Sequence, residues 1–177
     1  TYCRLYAEAT HMSEEDKRTL MYGAYMHDIG KINIDKNVLM KTGKLTDEEW
    51  AALKRHPVDG ANVIQNIDSL KSVMPLILQH HERYDGRGYP YGLKGEEIGP
   101  LARILSVADS FDAMISNRPY QPRKTYEEAY AELRRCAGTQ FDPEIAISFI
   151  HIIQNYLRHS AVIPSAPERL LEKLDEA

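Results

Sequence analysis

The sequence has little cysteine, no long apolar run and no excess of positive charge. Cys3 and Cys136 lie far apart and in no metal-ligand spacing, so we expect two small buried thiols in a reducing compartment. No apolar run approaches the ~18 residues of a membrane-spanning helix, and no signal peptide is recognisable. The net charge of -4 gives no support to a general nucleic-acid-binding surface. These features predict a cytoplasmic globular domain in which a metal or a small basic cluster attracts any anionic ligand.

The length of 177 residues suits one domain. The first ten residues, TYCRLYAEAT, have the pattern of a helix interior, and we interpret the chain as a fragment of a longer protein. We expect one domain over residues 1–160, with a truncated N-terminal helix, and a C-terminal helical tail over residues 161–177.

Helix signals dominate the sequence. Helix-start residues precede apolar segments at Ser13, Thr46, Pro100, Thr125 and Asp142. Two polar, glycine-rich stretches, 33–45 and 83–99, lie between such segments, and the second holds five glycines, too many for any regular element. No window alternates apolar and polar residues as a strand does. The sequence therefore predicts an all-α fold.

Asp109 lies in the middle of an apolar helical segment, residues 101–116. A lone buried carboxylate is unfavourable, so it requires a cation, a set of hydrogen-bond donors or a metal. On this helix alone, a salt bridge to Arg103 and a metal site both fit the sequence.

Histidines at the ends of apolar helices favour the metal site. His27-Asp28 ends one helix, His56 ends a second, and His80-His81 ends a third. Adjacent residues on a helix diverge by about 100°, so each pair can serve two neighbouring metals or two corners of one. Imidazole and carboxylate ligands without a thiolate suit iron or manganese in an open, hydrolytic site rather than a structural zinc ion.

Two segments of the chain resemble a known family. HDIGK, over residues 27–31, resembles the HD motif of the HD phosphohydrolase superfamily. HHERYDGRGYP, over residues 80–90, resembles the signature of the HD-GYP family, with Gly88-Tyr89-Pro90 as the GYP triplet. KTGKLTDEEW, LARILSVADSFDA, NRPY and GTQFDP also match, so the resemblance extends from about Ser13 to Leu157.

The resemblance implies a compact helical bundle of the HD type that holds two or three divalent metals, iron or manganese. It implies hydrolysis of cyclic di-GMP to linear pGpG, which members of the family often hydrolyse onward to GMP, so either product fits the resemblance. The nucleophile is expected to be a hydroxide that bridges two metals. Six residues match the family's metal ligands by position, and Asp28 among them is expected to bridge two metals. They are His27, Asp28, His56, His80, His81 and Asp109.

Other positions match the substrate side of the family's site. Lys31 matches a lysine beside the substrate phosphate and is expected to act in catalysis together with the bridging aspartate. Arg118 matches a residue near the phosphate or the guanine. Residues 83–99, which we call the GYP loop, match the loop next to substrate and protein partners, and Asp85 and the GYP triplet within it are predicted to bind substrate. The individual role of Tyr89 stays open.

An early histidine of the family, and a glutamate of its three-metal members, would precede Thr1 and have no counterpart here. One alternative is therefore a catalytically impaired effector that binds cyclic di-GMP and signals to a protein partner. A second alternative is hydrolysis of another cyclic dinucleotide. The resemblance also implies an upstream sensory or receiver domain and diguanylate cyclase partners, and a homodimer is compatible with a signalling domain.

Overall fold

The computed structural model describes residues 1–117 and 123–161, and these ranges contain helices and loops but no β-strand. The α-helices are α1 (Tyr2–Ala9), α2 (Glu14–Met26), α3 (Lys36–Leu39), α4 (Asp47–Leu53), α5 (His56–Ile64), α6 (Met74–Gln79), α7 (Pro100–Ile115), α8 (Tyr126–Cys136) and α9 (Pro143–Ala161). Short 3₁₀ turns cover Ile29–Asn33, Asp68–Val73 and Gly95–Glu97. The predicted all-α fold is confirmed, whereas Arg118 and the predicted tail beyond residue 161 lie outside the described residues.

Several helix starts follow from local hydrogen bonds that the sequence predicts. Thr46 and Thr125 form capping boxes with Glu49 and Glu128, in which each hydroxyl and each carboxylate accepts a backbone N–H of the other residue. The hydroxyl of Ser13 accepts the backbone N–H three residues later at 3.1 Å. The predicted starts of α2, α4 and α8 are therefore confirmed.

Two helix boundaries differ from the predictions. His56 was expected to end the helix that begins after Thr46, with a bend or boundary at Pro57, but α4 ends at Leu53 and His56 is the first residue of α5. Pro57 favours this arrangement because proline lacks an N–H, and the first turn of a helix needs none there. The predicted loop 33–45 contains the short α3, which begins because the carboxylate of Asp35 accepts a backbone N–H at 2.7 Å.

The main core surrounds α7, which packs against α1, α2, α6, α8 and α9. Phe111 is fully buried and contacts the rings of Tyr2, Tyr130 and Phe149 at centroid distances of 5.0, 5.7 and 5.3 Å. Both cysteines are buried in this core, as predicted. Within the described ranges, no helix has both the length and the apolarity needed to cross a membrane.

A second, smaller core fixes the parts of the chain that carry the histidines. Ile64 of α5, Val73 of the second 3₁₀ turn and Ile77 of α6 are buried against one another. The 3₁₀ turn Ile29–Asn33 packs against α5, and α5 packs against α6. As a result, the end of α2, the start of α5 and the end of α6 meet at one place.

Candidate metal centre

Three histidines at this meeting point are oriented in the same way. His27 follows α2, His56 opens α5 and His80 follows α6. The Nδ1 atom of each ring lies within hydrogen-bond distance of the carbonyl oxygen three residues earlier, at 2.9, 2.7 and 2.8 Å respectively. Because a carbonyl oxygen only accepts, each Nδ1 carries the hydrogen, and Nε2 of the neutral ring is left with a lone pair. The backbone thus points three Nε2 lone pairs away from the helix ends.

The carboxylate of Asp28 lies between these nitrogens. Its Oδ1 atom is 3.3 Å from Nε2 of His56 and 3.9 Å from Nε2 of His80, and the two Nε2 atoms are 3.2 Å apart. His81 adds another nitrogen, and the ligand atoms of the four residues lie within 4.8 Å of one another. We call Asp28, His56, His80 and His81 the Asp28 cluster.

The donor atoms of the Asp28 cluster fit a divalent metal ion. His56 and His80 are only 1% and 2% exposed, so water does not separate their rings. Burial, followed by the charge of neighbouring imidazoles, lowers the pKa of His80 well below its usual value and that of His81 to about 4. Neutral imidazole nitrogens and a carboxylate oxygen repel one another at these distances unless a proton or a cation lies among them. Imidazole and carboxylate are ligands of zinc, iron and manganese in proteins.

The second oxygen of Asp28 faces a different group of residues. Nε2 of His27 lies 3.5 Å from Oδ2 of Asp28 and 3.6 Å from Oδ1 of Asp109 on α7. Arg103, the alternative partner of Asp109 in the sequence, forms an ion pair with Asp142 at the start of α9. Side chains that can bind a metal therefore lie beside both oxygens of Asp28: His56 and His80 beside Oδ1, and His27 beside Oδ2.

Lys31 also contacts Asp28. Its Nζ atom donates to Oδ2 at 2.6 Å. Burial acts to raise the pKa of Asp28, but the neighbouring His56 ring, the hydrogen bond from Lys31 and the charge of His27 outweigh burial and hold this pKa well below its usual range. Asp28 is therefore ionised, as a ligand that uses both oxygens must be.

A cleft of about 160 Å³ opens beside the His27 side of the site. It is lined by His27, Asp109 and Asp112 together with Tyr2 and Cys3 of α1. The carboxylates and imidazole on this side are accessible to a ligand that enters the cleft.

The GYP triplet contacts the Asp28 cluster through Tyr89. The ring of Tyr89 stacks on the imidazole of His81, with centroids 4.8 Å apart, and the backbone N–H of Tyr89 donates to the His81 carbonyl at 3.3 Å. Burial, and then the charges of Asp28 and Asp109, raise the pKa of Tyr89 to about 12. The phenol therefore stays protonated at neutral pH, and its ring fixes the orientation of His81.

Two residues hold the GYP loop in this position. The carboxylate of Glu82, which is 2% exposed, accepts the backbone N–H groups of Tyr91 at 2.7 Å and Leu93 at 3.1 Å. A Cβ atom on Gly88 would lie 2.4 Å from the backbone nitrogen of Arg83, so a larger residue does not fit there. Sequence reasoning missed Glu82, although a glutamate directly after two candidate histidine ligands was a usable signal.

The remaining predicted substrate residues are separate from the Asp28 cluster or outside the described chain. Asp85 accepts from Nε and Nη2 of Arg83 at 3.1 and 2.7 Å, and from the backbone N–H of Arg87 at 3.1 Å. These bonds are local to the first residues of the GYP loop, and a contact of Asp85 with substrate stays a prediction. The predicted role of Arg118 also stays a prediction, because Arg118 is not among the described residues.

The profile of the HD domain family matches residues 1–145. The chain belongs to the HD domain family. This match includes the Asp28 cluster, His27 and Asp109, and the resemblance to the HD-GYP branch of the family is confirmed by this match together with relatives of the chain.

One relative of this HD domain is the cyclic di-GMP phosphodiesterase of Thermotoga maritima, 42% identical over 148 residues, which are 82% of this chain and 40% of the relative. Another is the 3'3'-cGAMP-specific phosphodiesterase 3 of Vibrio cholerae, 35% identical over 81% of this chain and 31% of the relative. The chain thus spans less than half the length of either relative. The solved structure of the HDG"Y"P protein Bd1817 from Bdellovibrio bacteriovorus has the same fold, with a TM-score of 0.68 and 24% identity over 86% of this chain and 49% of that one.

Proposed function

We propose that this chain is a metal-dependent phosphodiesterase domain, over residues 1–160, that hydrolyses cyclic di-GMP to linear pGpG and onward to GMP. One observation carries the proposal: the carboxylate of Asp28 has His56 and His80 beside one oxygen and His27 beside the other. Such a carboxylate suits a site with more than one metal ion, as hydrolysis of phosphodiesters commonly requires. The name of the Thermotoga maritima relative supports cyclic di-GMP as the substrate.

The ligands divide into two groups in this proposal. Oδ1 of Asp28 with the histidines of the Asp28 cluster would hold one ion, and Oδ2 of Asp28 with His27 and Asp109 would hold a second. The absence of thiolate from both groups favours iron or manganese, and we propose two ions, or three. Bound divalent cations supply a water of lowered pKa and neutralise charge on a phosphodiester.

The side chains of the chain have separate tasks in this mechanism. The backbone carbonyls that accept from Nδ1 of His27, His56 and His80 keep the three Nε2 atoms directed at the metals. Lys31 is the cation that donates to a non-bridging phosphate oxygen, since its Nζ lies at the edge of the site on Asp28. Tyr89 fixes His81 by stacking and keeps a phenol hydrogen that it can donate to substrate.

Hydrolysis of cyclic GMP-AMP is the second candidate function. The observation that favours it is the name of the Vibrio cholerae relative, which is specific for 3'3'-cGAMP at 35% identity. The two candidates share the metal site and differ only in how the bases are recognised. An upstream sensory or receiver domain, a diguanylate cyclase partner and a homodimer stay predictions.

The proposal is tested by metal analysis paired with a hydrolysis assay. The chain is purified without oxygen, loaded with iron or manganese, and given cyclic di-GMP and cyclic GMP-AMP in parallel. We expect two or more metals per chain and linear product from cyclic di-GMP. Binding of cyclic di-GMP without any product would contradict the enzyme and favour the effector.

A pair of aspartate variants tests the assignment of the site. Asp28→Ala should lose metal and activity together, because Asp28 contacts both groups of ligands. Asp68→Ala is the matched control, since the Asp68 side chain is 90% exposed and forms an exposed ion pair with Lys71. Turnover that persists in Asp28→Ala would contradict the assignment.

A further inference from the structure

Lys54 has an unusual environment next to the GYP loop. Its Nζ atom lies 5.4 Å from the ring centroid of Trp50 on α4 and 5.7 Å from that of Tyr89. Within residues 1–117 and 123–161, no hydrogen bond or ion pair to this ammonium is present, whereas Lys31 is paired with Asp28 and Lys41 with Glu49. The three N–H groups of Lys54 are thus available to a ligand.

The position of this lysine connects solvent with the Asp28 cluster. The ring of Tyr89 has two neighbours: the Lys54 ammonium lies near it, and the imidazole of His81 stacks on it. Trp50 lies at the solvent end, and 44% of its surface is exposed. The exposed part of the indole is open to a further flat group, because the Lys54 cation lies at one place beside the ring and leaves the rest accessible.

The chemistry of these two side chains fits a guanine base. Aromatic faces stack on bases, and a lysine ammonium donates to the O6 and N7 acceptors of guanine. Adenine has an amino donor where guanine has O6, so an ammonium at that edge is repelled. A dinucleotide whose phosphate lies at the Asp28 cluster extends its bases beyond the cluster, and Tyr89 links the cluster to Lys54 because its ring stacks on His81 and lies 5.7 Å from the Lys54 ammonium.

We propose that Trp50 and Lys54 form a guanine-recognition subsite, in which the indole stacks on the base and the Lys54 ammonium reads its O6 and N7 edge. The subsite rests on the proposed function for its substrate, cyclic di-GMP. It selects guanine over adenine in a cyclic dinucleotide, and neither residue takes part in the metal chemistry.

Trp50 is the only tryptophan, so its fluorescence reports directly on the subsite. The metal-loaded chain is mixed rapidly with cyclic di-GMP or cyclic di-AMP, and quenching is recorded before turnover. We expect cyclic di-GMP to quench at about tenfold lower concentration than cyclic di-AMP, since a correct base-edge contact contributes discrimination of about that size. Absence of quenching by cyclic di-GMP would overturn the guanine subsite. This holds whether or not the chain hydrolyses the dinucleotide, because the fluorescence reports binding.

Variants separate stacking from edge recognition. Trp50→Ala should raise KM for cyclic di-GMP about tenfold with kcat unchanged, and Trp50→Phe should retain most of the affinity because it keeps a ring. Lys54→Met should raise KM for cyclic di-GMP about tenfold and should not raise it for cyclic di-AMP, and Lys54→Arg should rescue the affinity for cyclic di-GMP. Lys44→Met, at an exposed lysine of the same region, is the control and should change nothing.

The experiment distinguishes failure of the subsite from failure of the proposed function. Bis(p-nitrophenyl) phosphate is a phosphodiester without a base, so all these variants should hydrolyse it as the unchanged chain does and bind as much metal. Loss of this base-free activity in Trp50→Ala or Lys54→Met would assign them to the metal site and overturn the subsite. An equal rise of KM for both dinucleotides in Lys54→Met would mean a phosphate contact and overturn guanine recognition. A chain without any turnover would contradict the proposed function alone.

Discussion

A Cβ atom on Gly30 would lie 2.0 Å from the carbonyl oxygen of His56 and 2.4 Å from the backbone nitrogen of Gly60. The turn after Asp28 therefore packs backbone against backbone on the first turn of α5. This contact brings Asp28 to 3.3 Å from His56, although the two residues are separated by a long stretch of chain. The glycine in HDIGK is thus required by the close approach of two backbones and does not serve as a helix stop.

Gly30→Ala should destabilise the chain and weaken the site together. The added methyl group must displace α5 from the turn, and overpacking of this kind costs about 1–3 kcal/mol or more. Gly43→Ala is the control, because a Cβ there meets nothing within 4 Å. Urea unfolding and metal titration of both variants measure the effect. Equal unfolding midpoints for the two variants would contradict the close packing of the Gly30 turn against α5.

Glu82→Gln should loosen the GYP loop without changing its volume. The buried carboxylate accepts two backbone N–H groups, and an amide presents an N–H₂ group to one of them. Loss of that acceptor should reduce the free energy of unfolding by about 1–3 kcal/mol and speed amide exchange in the loop. Glu96→Gln, at an exposed position of the same loop, should have neither effect. Unchanged exchange at Tyr91 and Leu93 in Glu82→Gln would refute this role.

Local signals predicted helices better than they predicted contacts. The threonine and glutamate of each capping box are three residues apart. Thr46 and Thr125 therefore predict the starts of α4 and α8 without reference to the rest of the fold. The boundary near Pro57 was expected after His56 and lies before it, because Lys54 and Arg55 at the break are good helix formers and give no local stop signal. Proline at the second position of α5 contained the correct signal.

The site itself was predictable only as a set of residues. Histidines at three helix ends and a buried aspartate suggested a metal, and the family resemblance assigned the ligands. Nothing local indicates that Arg103 pairs with Asp142, 39 positions later, or that Glu82 binds the loop eleven positions ahead. Such partners depend on how the helices pack, which periodicity and spacing do not specify.

Removal of metal should lower the stability of the chain. Without a cation, the nitrogens of His56 and His80 and the oxygen of Asp28 lie close together as unpaired acceptors. A ligand present at 100 times its Kd stabilises the folded state by about 2.7 kcal/mol, so a chelator should shift Tm by several degrees. The measurement is a thermal melt with manganese or with a chelator. Asp28→Ala should melt at one temperature under both conditions, and the same behaviour in the unchanged chain would argue against a metal in this cluster.

Lys31→Met should reduce turnover while leaving the metals in place. The ammonium donates to Oδ2 of Asp28 at 2.6 Å, so its removal takes a positive charge away from the metal site and should not weaken metal binding. The loss of one preorganised donor to a phosphoryl oxygen typically reduces kcat about 10²–10³-fold. Lys36→Met, at an exposed lysine of α3, is the matched control.

The metal content distinguishes this effect of Lys31 from a structural one. If Lys31 served only to hold the carboxylate of Asp28 in place, Lys31→Met would lose metal in proportion to activity, as Asp28→Ala is expected to do. Metal analysis and kcat are therefore measured on the same sample. Full metal content with low kcat supports contact of Lys31 with substrate, and Lys31→Arg, which keeps the charge, should recover part of the rate.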